Sequence, residues 1–141
     1  MYEAIQSELR PGDHTLEFGS GLSTFAFSRL DTVHTSVEND GRQYTLIQNC
    51  FNRPGFVYYR PMNEHTGWYY HFVPIAARVI LVDGPFGGSR HAGLKDILAC
   101  ANDQTVLFVD DVHREDEMQL VQDIAAHLGR EIYFQDRWAK I

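Results

Sequence analysis

Acidic residues recur at the ends of apolar, strand-like stretches in this chain of 141 residues. Glu17 stands two places before a Gly-x-Gly in LEFGSGLST, and Glu38 ends TSVE. Asp83 follows VILV, and the pair Asp110-Asp111 follows VLFV. Helix capping explains an occasional Asp in such a place, but it does not explain Asp83, which precedes Gly-Pro. We therefore predict that these carboxylates line one ligand site.

The elements that must position them alternate along the chain between strand and helix patterns. Apolar periodicity predicts strands over 14–18, 32–38, 55–60, 77–84 and 105–111, and helices over 2–10, 22–30, 40–50, 91–101 and 114–128. Such alternation implies βαβ units and a parallel sheet. The expected fold class is α/β: a doubly wound Rossmann-like sheet, mostly parallel, with helices on both faces and a C-terminal β-hairpin around Asp136. Residues 1–141 are expected to form a single domain.

Composition narrows the class of partner. The net charge is −7, and no run of Lys and Arg occurs, which argues against nucleic acid and against an anionic membrane surface. No apolar run has the length of a membrane span, and the N-terminus lacks a signal-type apolar core. Cys50 and Cys100 lie in helix-like apolar stretches and are expected to be buried free thiols. These features favour a cytoplasmic protein.

The Gly-x-Gly by itself is weak evidence for any ligand. A dinucleotide site requires a third small residue and lacks an acid in the position of Glu17, which would repel a pyrophosphate and attract an ammonium or a sulfonium. Glu38 follows Gly21 by 17 residues, close to the spacing at which a carboxylate binds ribose hydroxyls. A ribose acceptor combined with a carboxylate for a cationic amino-acid group indicates S-adenosylmethionine.

On LEFGSGLST, TSVEND, ILVDGP and LFVDD, in that order, the chain resembles the class I S-adenosylmethionine-dependent methyltransferases. In that family the glycine-rich loop wraps the methionine part of the cofactor, and the acid after the second strand binds the ribose. The resemblance implies the following cofactor-binding residues: Glu17, Gly19, Ser20, Gly21, Ser23, Thr24, Glu38 and Asp83. The acid that the family carries near the adenine has no clear counterpart here, and Asn63 and Glu64 are the candidates.

Asp83, Asp110 and Asp111 together form a candidate metal site. Three carboxylates suit Mg²⁺ or another divalent cation, which would lower the pKa of a substrate hydroxyl. The pattern resembles the metal site of cation-dependent O-methyltransferases related to catechol O-methyltransferase. Two alternatives stay open: Asp110 or Asp111 caps the last helix, and Asp83 contacts the amino group of the cofactor.

The catalytic candidates are Asp83, Arg90 and His113. Arg90 ends the glycine-rich DGPFGGSR and would pair either with an acidic or phosphorylated substrate or with a neighbouring carboxylate. His113 and His91 are candidate general bases, with surface histidines as the alternative. The aromatic residues of the 61–72 stretch would either wall the site or pack in the core.

The sequence therefore predicts an S-adenosylmethionine-dependent methyltransferase that acts on an oxygen of a small-molecule or saccharide acceptor, with metal assistance an open alternative. Because little chain flanks the predicted sheet, the acceptor is expected to be covered by the 61–72 and 84–92 loops or by a second subunit, which would make the protein a homo-oligomer. One rival is an NAD- or nucleotide-binding Rossmann oxidoreductase, which Glu17 and the missing third glycine disfavour. The other is a non-catalytic binding or regulatory module on a methyltransferase scaffold.

Overall fold

The computed structural model describes residues 1–53 and 55–141. The strands are β1 (His14–Phe18), β2 (Val33–Glu38), β3 (Val57–Tyr59), β4 (Val79–Val82), β5 (Val106–Val109), β6 (Tyr133–Gln135) and β7 (Trp138–Lys140). They form one sheet in the order β3-β2-β1-β4-β5-β7-β6. Strands β1 to β5 are parallel, and β7 is antiparallel to both β5 and β6. The mostly parallel sheet and the C-terminal hairpin confirm the prediction.

Helices cover both faces of this sheet. They are α1 (Tyr2–Ser7), α2 (Leu22–Phe27), α3 (Gly41–Phe51), α4 (Leu94–Cys100) and α5 (Glu115–Leu128). Asp40 caps α3, because its Oδ1 accepts hydrogen bonds from the backbone N–H groups of Arg42 and Gln43 at 2.7 and 2.9 Å. The short helices α1 and α2 end earlier than the apolar pattern indicated.

The core explains why β4 reads as an unbroken apolar run. All four of its residues are fully buried, because helices cover both of its faces. Ile80 and Val82 pack in the cluster that α4 and α5 close, whereas Val79 and Leu81 pack with residues of α1 and α2. Cys100 is buried as predicted, but Cys50 is exposed, since α3 lies near the sheet edge and fully buries only Ile47.

The strand order reverses between β1 and β4. From β1 the chain proceeds outward through β2 and β3, and from β4 it proceeds in the other direction through β5. Connections that leave in opposite directions open a crevice at the carboxyl ends of the two central strands, where ligands bind in sheets of this kind. Among the described helices, none is long and apolar enough to cross a membrane.

Candidate functional site

The parallel register brings the ends of four strands to one level. Phe18 of β1 pairs with Val37 and Val82, and Val82 pairs with Val109. The next residue of each strand therefore lies on a common line, which we call the carboxyl edge: Gly19, Glu38, Asp83 and Asp110. Glu17 lies two residues before this edge, inside the sheet, and is paired with Ser36.

A cavity of about 890 Å³ lies against the carboxyl edge. Its walls come from the loop after β1, the loop after β4 and the first turn of α5. The predicted site residues that line it are Gly19, Ser20, Glu38, Asp83, Arg90 and Asp111. A second cavity of about 460 Å³ shares Ser20, Glu38 and Phe86 with the first. The fold thus brings together residues that lie far apart in the sequence.

Glu38 is held in a fixed orientation beside this cavity. Its Oε2 accepts hydrogen bonds from the backbone N–H of Ser20 at 2.8 Å and from the Ser20 hydroxyl at 2.7 Å. Its Oε1 accepts one from the backbone N–H of Asp40 at 2.8 Å. An ionised carboxylate offers about four acceptor positions, so Glu38 keeps capacity for a further donor, and rotation of the Ser20 hydroxyl frees another. The carboxylate is pre-organised to accept hydrogen bonds from a ligand.

The first glycine of the Gly-x-Gly is required by a contact between two loops. Gly19 has φ +87°, and a Cβ on it would lie 2.8 Å from the Gly84 Cα. A Cβ on Gly84 would in turn lie 2.6 Å from the Gly19 Cα. Any side chain at either position would force apart the loops that follow β1 and β4. Gly21 differs, because a Cβ there would meet nothing within 4 Å.

Glu17, Ser23 and Thr24 lie behind the glycine loop and do not line the cavity. Side chains alternate across a strand, so Phe18 faces the cluster of α4 and α5, whereas Glu17 faces α1 and α2. Glu17 is 0% exposed, and its Oε2 accepts a hydrogen bond from the Thr24 hydroxyl at 2.6 Å. Tyr2 donates its hydroxyl to the Ser23 carbonyl oxygen at 2.7 Å. The structure therefore places these three side chains in a buried layer under the loop.

Asp83 reaches the cavity as a carboxyl group with a raised pKa. Burial is the main cause, and the carboxylates of Asp110, Glu17 and Asp111 add to it. The Arg90 guanidinium, 3.4 Å from Oδ1, opposes these effects but leaves the pKa of Asp83 at about 6. A carboxyl group with a pKa close to the working pH is suited to accept a proton.

Arg90 is a buried cation that joins the ends of β4 and β5. It is 4% exposed, and it donates hydrogen bonds to the carbonyl oxygens of Asp83 and Asp110, each at 2.8 Å. The carboxylates of Asp83, Asp111 and Glu117 lie 3.4, 3.4 and 3.5 Å from it. Of the two roles predicted for Arg90, the structure favours pairing with neighbouring carboxylates.

Asp111 is surrounded by arginines. Its Oδ2 lies 3.0 Å from Nη2 of Arg114 and 3.4 Å from Nη2 of Arg90, and its Oδ1 contacts Arg137. Burial would raise the pKa of Asp111, but the hydrogen bond from Arg137 and the charges of Arg114 and Arg90 outweigh it and hold that pKa below its usual value. Asp110 turns its Oδ1 to the backbone N–H of Asp111 at 2.9 Å.

These contacts do not fit the predicted Mg²⁺ site at Asp83, Asp110 and Asp111. A divalent cation at Asp111 would face three guanidinium groups that already neutralise the carboxylate. Across residues 1–53 and 55–141, no group of three His, Cys, Asp or Glu side chains is arranged to hold a metal ion. The acids at the carboxyl edge are compensated by arginines.

The predicted histidine bases lie outside the cavity lining. His113 is exposed. His91 places its Nε2 2.7 Å from Oδ2 of Asp123 on α5, and this hydrogen bond holds the pKa of Asp123 below its usual value. Of the predicted proton acceptors, Asp83 is the one that the structure places at the cavity.

The aromatic residues of the 61–72 stretch support a loop instead of walling the site. The ring centroids of Trp68 and Tyr69 lie 5.0 and 5.9 Å from that of Phe18 in the core. A Cβ on Gly93 would lie 2.4 Å from the Trp68 ring, so this stretch packs directly under the segment that carries Arg90. Asn63 uses its Oδ1 to accept a hydrogen bond from the backbone N–H of His65 at 2.9 Å, within its own turn.

The residues at the cavity that the sequence reasoning missed include Phe86, Arg114 and three acids of α5, Glu115, Asp116 and Glu117. Phe86 is 87% exposed and lines both cavities. Arg114 lines the larger cavity and lies 3.5 Å from Glu117 as well as beside Asp111. The signal for Phe86 was an aromatic residue between glycines in a loop after a buried strand. The signal for Arg114 was its spacing of three residues from both Asp111 and Glu117.

No protein-family profile matches this chain, and no curated protein sequence matches it. Solved structures do match. A TehB-like SAM-dependent methyltransferase from Corynebacterium glutamicum superposes with a TM-score of 0.69 at 11% identity, over 99% of this chain and 83% of that one. A SAM-dependent methyltransferase from Geobacter sulfurreducens in complex with S-adenosyl-L-homocysteine gives a TM-score of 0.56 at 13% identity, over 94% and 64%.

Coclaurine N-methyltransferase bound to N-methylheliamine and SAH gives a TM-score of 0.55 at 19% identity, over 76% of this chain. The chain spans 33% of the length of that enzyme. At these identities the likeness is one of fold. The chain has the Rossmann-like fold of the S-adenosylmethionine-dependent methyltransferases, as the sequence predicted.

Proposed function

We propose that this protein is an S-adenosylmethionine-dependent methyltransferase that transfers a methyl group to an oxygen of a small-molecule or saccharide acceptor. The observation that carries the proposal is the pairing of Glu38 with Ser20. In a sheet of this fold, it places a fixed carboxylate at the carboxyl edge beside the glycine loop and a cavity of about 890 Å³.

In this proposal Glu38 accepts hydrogen bonds from the ribose hydroxyls, and the loop of Gly19, Ser20 and Gly21 lies along the methionine part. The cavity is lined by six carboxylates and two guanidiniums, an excess of negative charge that favours a sulfonium cation. Two of the solved structures of the same fold carry S-adenosylhomocysteine, which supports the choice of cofactor. The buried Glu17, Ser23 and Thr24 act from behind this loop.

The chemistry is an in-line displacement at the methyl carbon. The sulfur–carbon bond breaks and leaves its electron pair on sulfur, while a lone pair of the acceptor oxygen forms the new carbon–oxygen bond. Asp83 takes the hydroxyl proton, which its raised pKa and its place at the cavity support. Arg90 positions Asp83 through its carbonyl oxygen and its carboxylate. The guanidinium groups around Asp111 neutralise the negative charge of the carboxylates, a role that a metal ion would otherwise have.

The charge and shape of the cavity favour an uncharged acceptor. Arg90 and Arg114 each contact carboxylates of the protein, so an acidic or phosphorylated acceptor would meet carboxylates without a free cation to pair with. The exposed ring of Phe86 offers an apolar platform at the mouth, of a kind that packs against the C–H face of a sugar ring. These features support a neutral hydroxyl compound or a saccharide.

Calorimetric titration of S-adenosylmethionine and S-adenosylhomocysteine tests the cofactor site. We expect micromolar binding by the wild type, at least about tenfold weaker binding by Glu38→Gln, and no effect of Mg²⁺. Glu3→Gln, an exposed acid on α1 outside the cavity lining, serves as the control with unchanged affinity. Absence of binding by the wild type would contradict the proposal. A rise in Tm with a nicotinamide cofactor would point to the oxidoreductase alternative.

Asp83→Asn separates the two roles that remain for Asp83. A general base contributes about 10²–10⁴-fold to rate, so we expect turnover of a screened hydroxyl acceptor to fall by about that factor while the Kd of S-adenosylhomocysteine stays within about threefold. A Kd that rises together with the loss of turnover would instead identify Asp83 as a ligand of the cofactor's amino group. Binding without turnover of any acceptor by the wild type would favour the non-catalytic module.

A further inference from the structure

A buried chain of polar contacts runs from β2 to the glycine loop on the side of the sheet away from the cavity. Thr15 Oγ1 lies 2.9 Å from Nδ1 of His34, and Nε2 of His34 lies 3.4 Å from Oε2 of Glu17. Thr24 donates its hydroxyl to the same Oε2 at 2.6 Å and accepts the backbone N–H of Gly21 at 2.8 Å. The four side chains are at most 5% exposed.

The direction of these hydrogen bonds follows from the chemistry of the groups. Thr24 donates its single hydroxyl proton to Glu17, and a hydroxyl that donates still has lone pairs with which to accept. The lone pairs of Thr24 Oγ1 are then left for the N–H of Gly21, and the plane of the Ser20–Gly21 peptide is fixed. Thr24 is the third residue of α2, so this bond also closes the helix start.

The same loop is held from its other side by Glu38. The backbone N–H and the hydroxyl of Ser20 both donate to Glu38, while the carbonyl oxygen of Ser20 accepts from the side-chain amide of Gln43 at 3.3 Å. Glu38 therefore fixes Ser20 from the cavity, and Thr24 fixes Gly21 from the core. Two acids on opposite sides of β1 and β2 hold one loop of three residues.

We infer that Glu17 is a positioning residue, which sets the conformation of the cofactor loop through Thr24 and makes no contact with the cofactor itself. This role explains why an acid lies near the end of the buried strand β1, where an apolar residue would pack better. Burying a carboxylate costs free energy unless its oxygens accept hydrogen bonds. Among the described residues, Oε1 of Glu17 has no hydrogen-bond partner, so the fold bears part of this cost at Glu17. The inference rests on the proposed function, because it assigns the loop of residues 19–21 to the cofactor.

The test uses the near-isosteric pair Thr24→Val and Thr24→Ser. Valine keeps the shape and removes the hydroxyl, whereas serine keeps the hydroxyl and removes a methyl group. We expect Thr24→Val to raise the Kd of S-adenosylhomocysteine at least about tenfold, with Thr24→Ser returning it to within about threefold of the wild type. Thr45→Val is the matched control, since Thr45 is exposed on α3 and donates its hydroxyl to the Gly41 carbonyl oxygen at 2.7 Å; we expect its Kd to be unchanged.

Amide hydrogen exchange gives a readout that does not depend on the ligand. The Gly21 N–H is expected to be protected in the wild type and in Thr24→Ser, and to exchange faster in Thr24→Val even where the central strands keep their protection. If Thr24→Val does not fold, Glu17→Gln takes its place, with faster exchange of the Gly21 N–H and a Kd above that of the wild type. Unchanged affinity and unchanged Gly21 exchange in the folded variants would overturn the inference.

The two failures are distinguishable. If the wild type binds neither S-adenosylmethionine nor its demethylated product, the proposed function fails, and the assignment of the loop to the cofactor fails with it. If the wild type binds and Thr24→Val binds equally well, the cofactor site stands and the positioning role of Glu17 is wrong.

Discussion

Asp83 is a residue whose charged form the fold disfavours, and its titration affects stability. Its pKa is about 6 in the folded protein, against an ordinary value of 3.8 for an aspartate. The folded state therefore binds a proton more tightly than the unfolded chain, and the free energy of unfolding falls as pH rises through the interval between these values. Burial outweighs the opposing charge of Arg90, so the carboxylate is a net cost above pH 6.

We therefore predict that Asp83→Asn is more stable than the wild type at pH 7.5. The expected gain is on the order of 1 kcal/mol, reduced from a full conversion of the pKa shift because solvent screens the exposed part of the side chain. The gain should shrink as pH falls through this interval, to about a third of its size at pH 4.5. Urea denaturation at both pH values measures it, and an equal difference at the two would show that the effect is not the titration of Asp83.

Asp111 behaves in the opposite way, because three guanidiniums depend on its charge. Asp111→Asn leaves Arg90, Arg114 and Arg137 around a neutral amide, and we predict a loss of about 2 kcal/mol in the free energy of unfolding, less than for a fully buried pair because Arg114 and Arg137 are exposed. Thermal unfolding with and without Mg²⁺ checks the metal-free interpretation. A rise in Tm with Mg²⁺ that Asp111→Asn abolishes would restore the metal site.

At the scale of the elements, the site depends on the contact between the loops that follow β1 and β4. Gly19→Ala combines a positive φ with a Cβ 2.8 Å from the backbone of Gly84, and we predict a loss of about 2 kcal/mol or more in stability. Gly21→Ala meets open space and should cost less than about 1 kcal/mol, the usual loss for Ala at a helix N-cap. Denaturant midpoints of the two variants give the comparison. Equal losses would contradict the loop contact.

The central strands were predictable because burial on both faces leaves an unmistakable apolar run, as in VILV and VLFV. Glu38 and Asp83 were predictable at the cavity because each directly follows a valine at the end of a strand. Glu17 was harder, since it precedes the last strand residue, Phe18. Aligning the four strand ends would have placed Gly19, and not Glu17, level with Glu38 and Asp83.

The metal-site prediction failed because the spacing of residues along the sequence does not reveal which charged side chains surround them in the fold. Three aspartates at two neighbouring strand ends resemble a cation site until the arginines that surround them are known. Arg114 lies only three residues after Asp111, but Arg90 and Arg137 come from the loop after β4 and the C-terminal hairpin, and nothing in their local sequence marks them as partners of Asp111. Charge compensation of this kind is set by tertiary distance, which spacing along the chain does not encode.

At the scale of the whole molecule, topology explains why such distant segments meet. The strand order reverses between β1 and β4, so the loops after these strands touch at Gly19 and Gly84 and then lead away in opposite directions, which leaves a crevice that β2, β5 and α5 enclose. The chain as a whole carries a net charge of −7, and six carboxylates against two guanidiniums line the crevice. A clustered excess of one sign in a cleft produces a field that acts on charged ligands.

This field leads to a prediction about cofactor and product. S-adenosylmethionine carries one more positive charge than S-adenosylhomocysteine, so its binding should be more sensitive to salt. Raising the ionic strength from 0.05 to 0.5 M shortens the screening length severalfold, and at pH 8 we expect the Kd of S-adenosylmethionine to rise about threefold more than that of the product. Glu115→Gln, at the cavity, should reduce the difference, whereas Glu131→Gln, outside the cavity lining, should not. Equal salt dependence for both ligands would mean that the carboxylates of the crevice do not act on the sulfonium, and that the fold selects the cofactor by shape and hydrogen bonds alone.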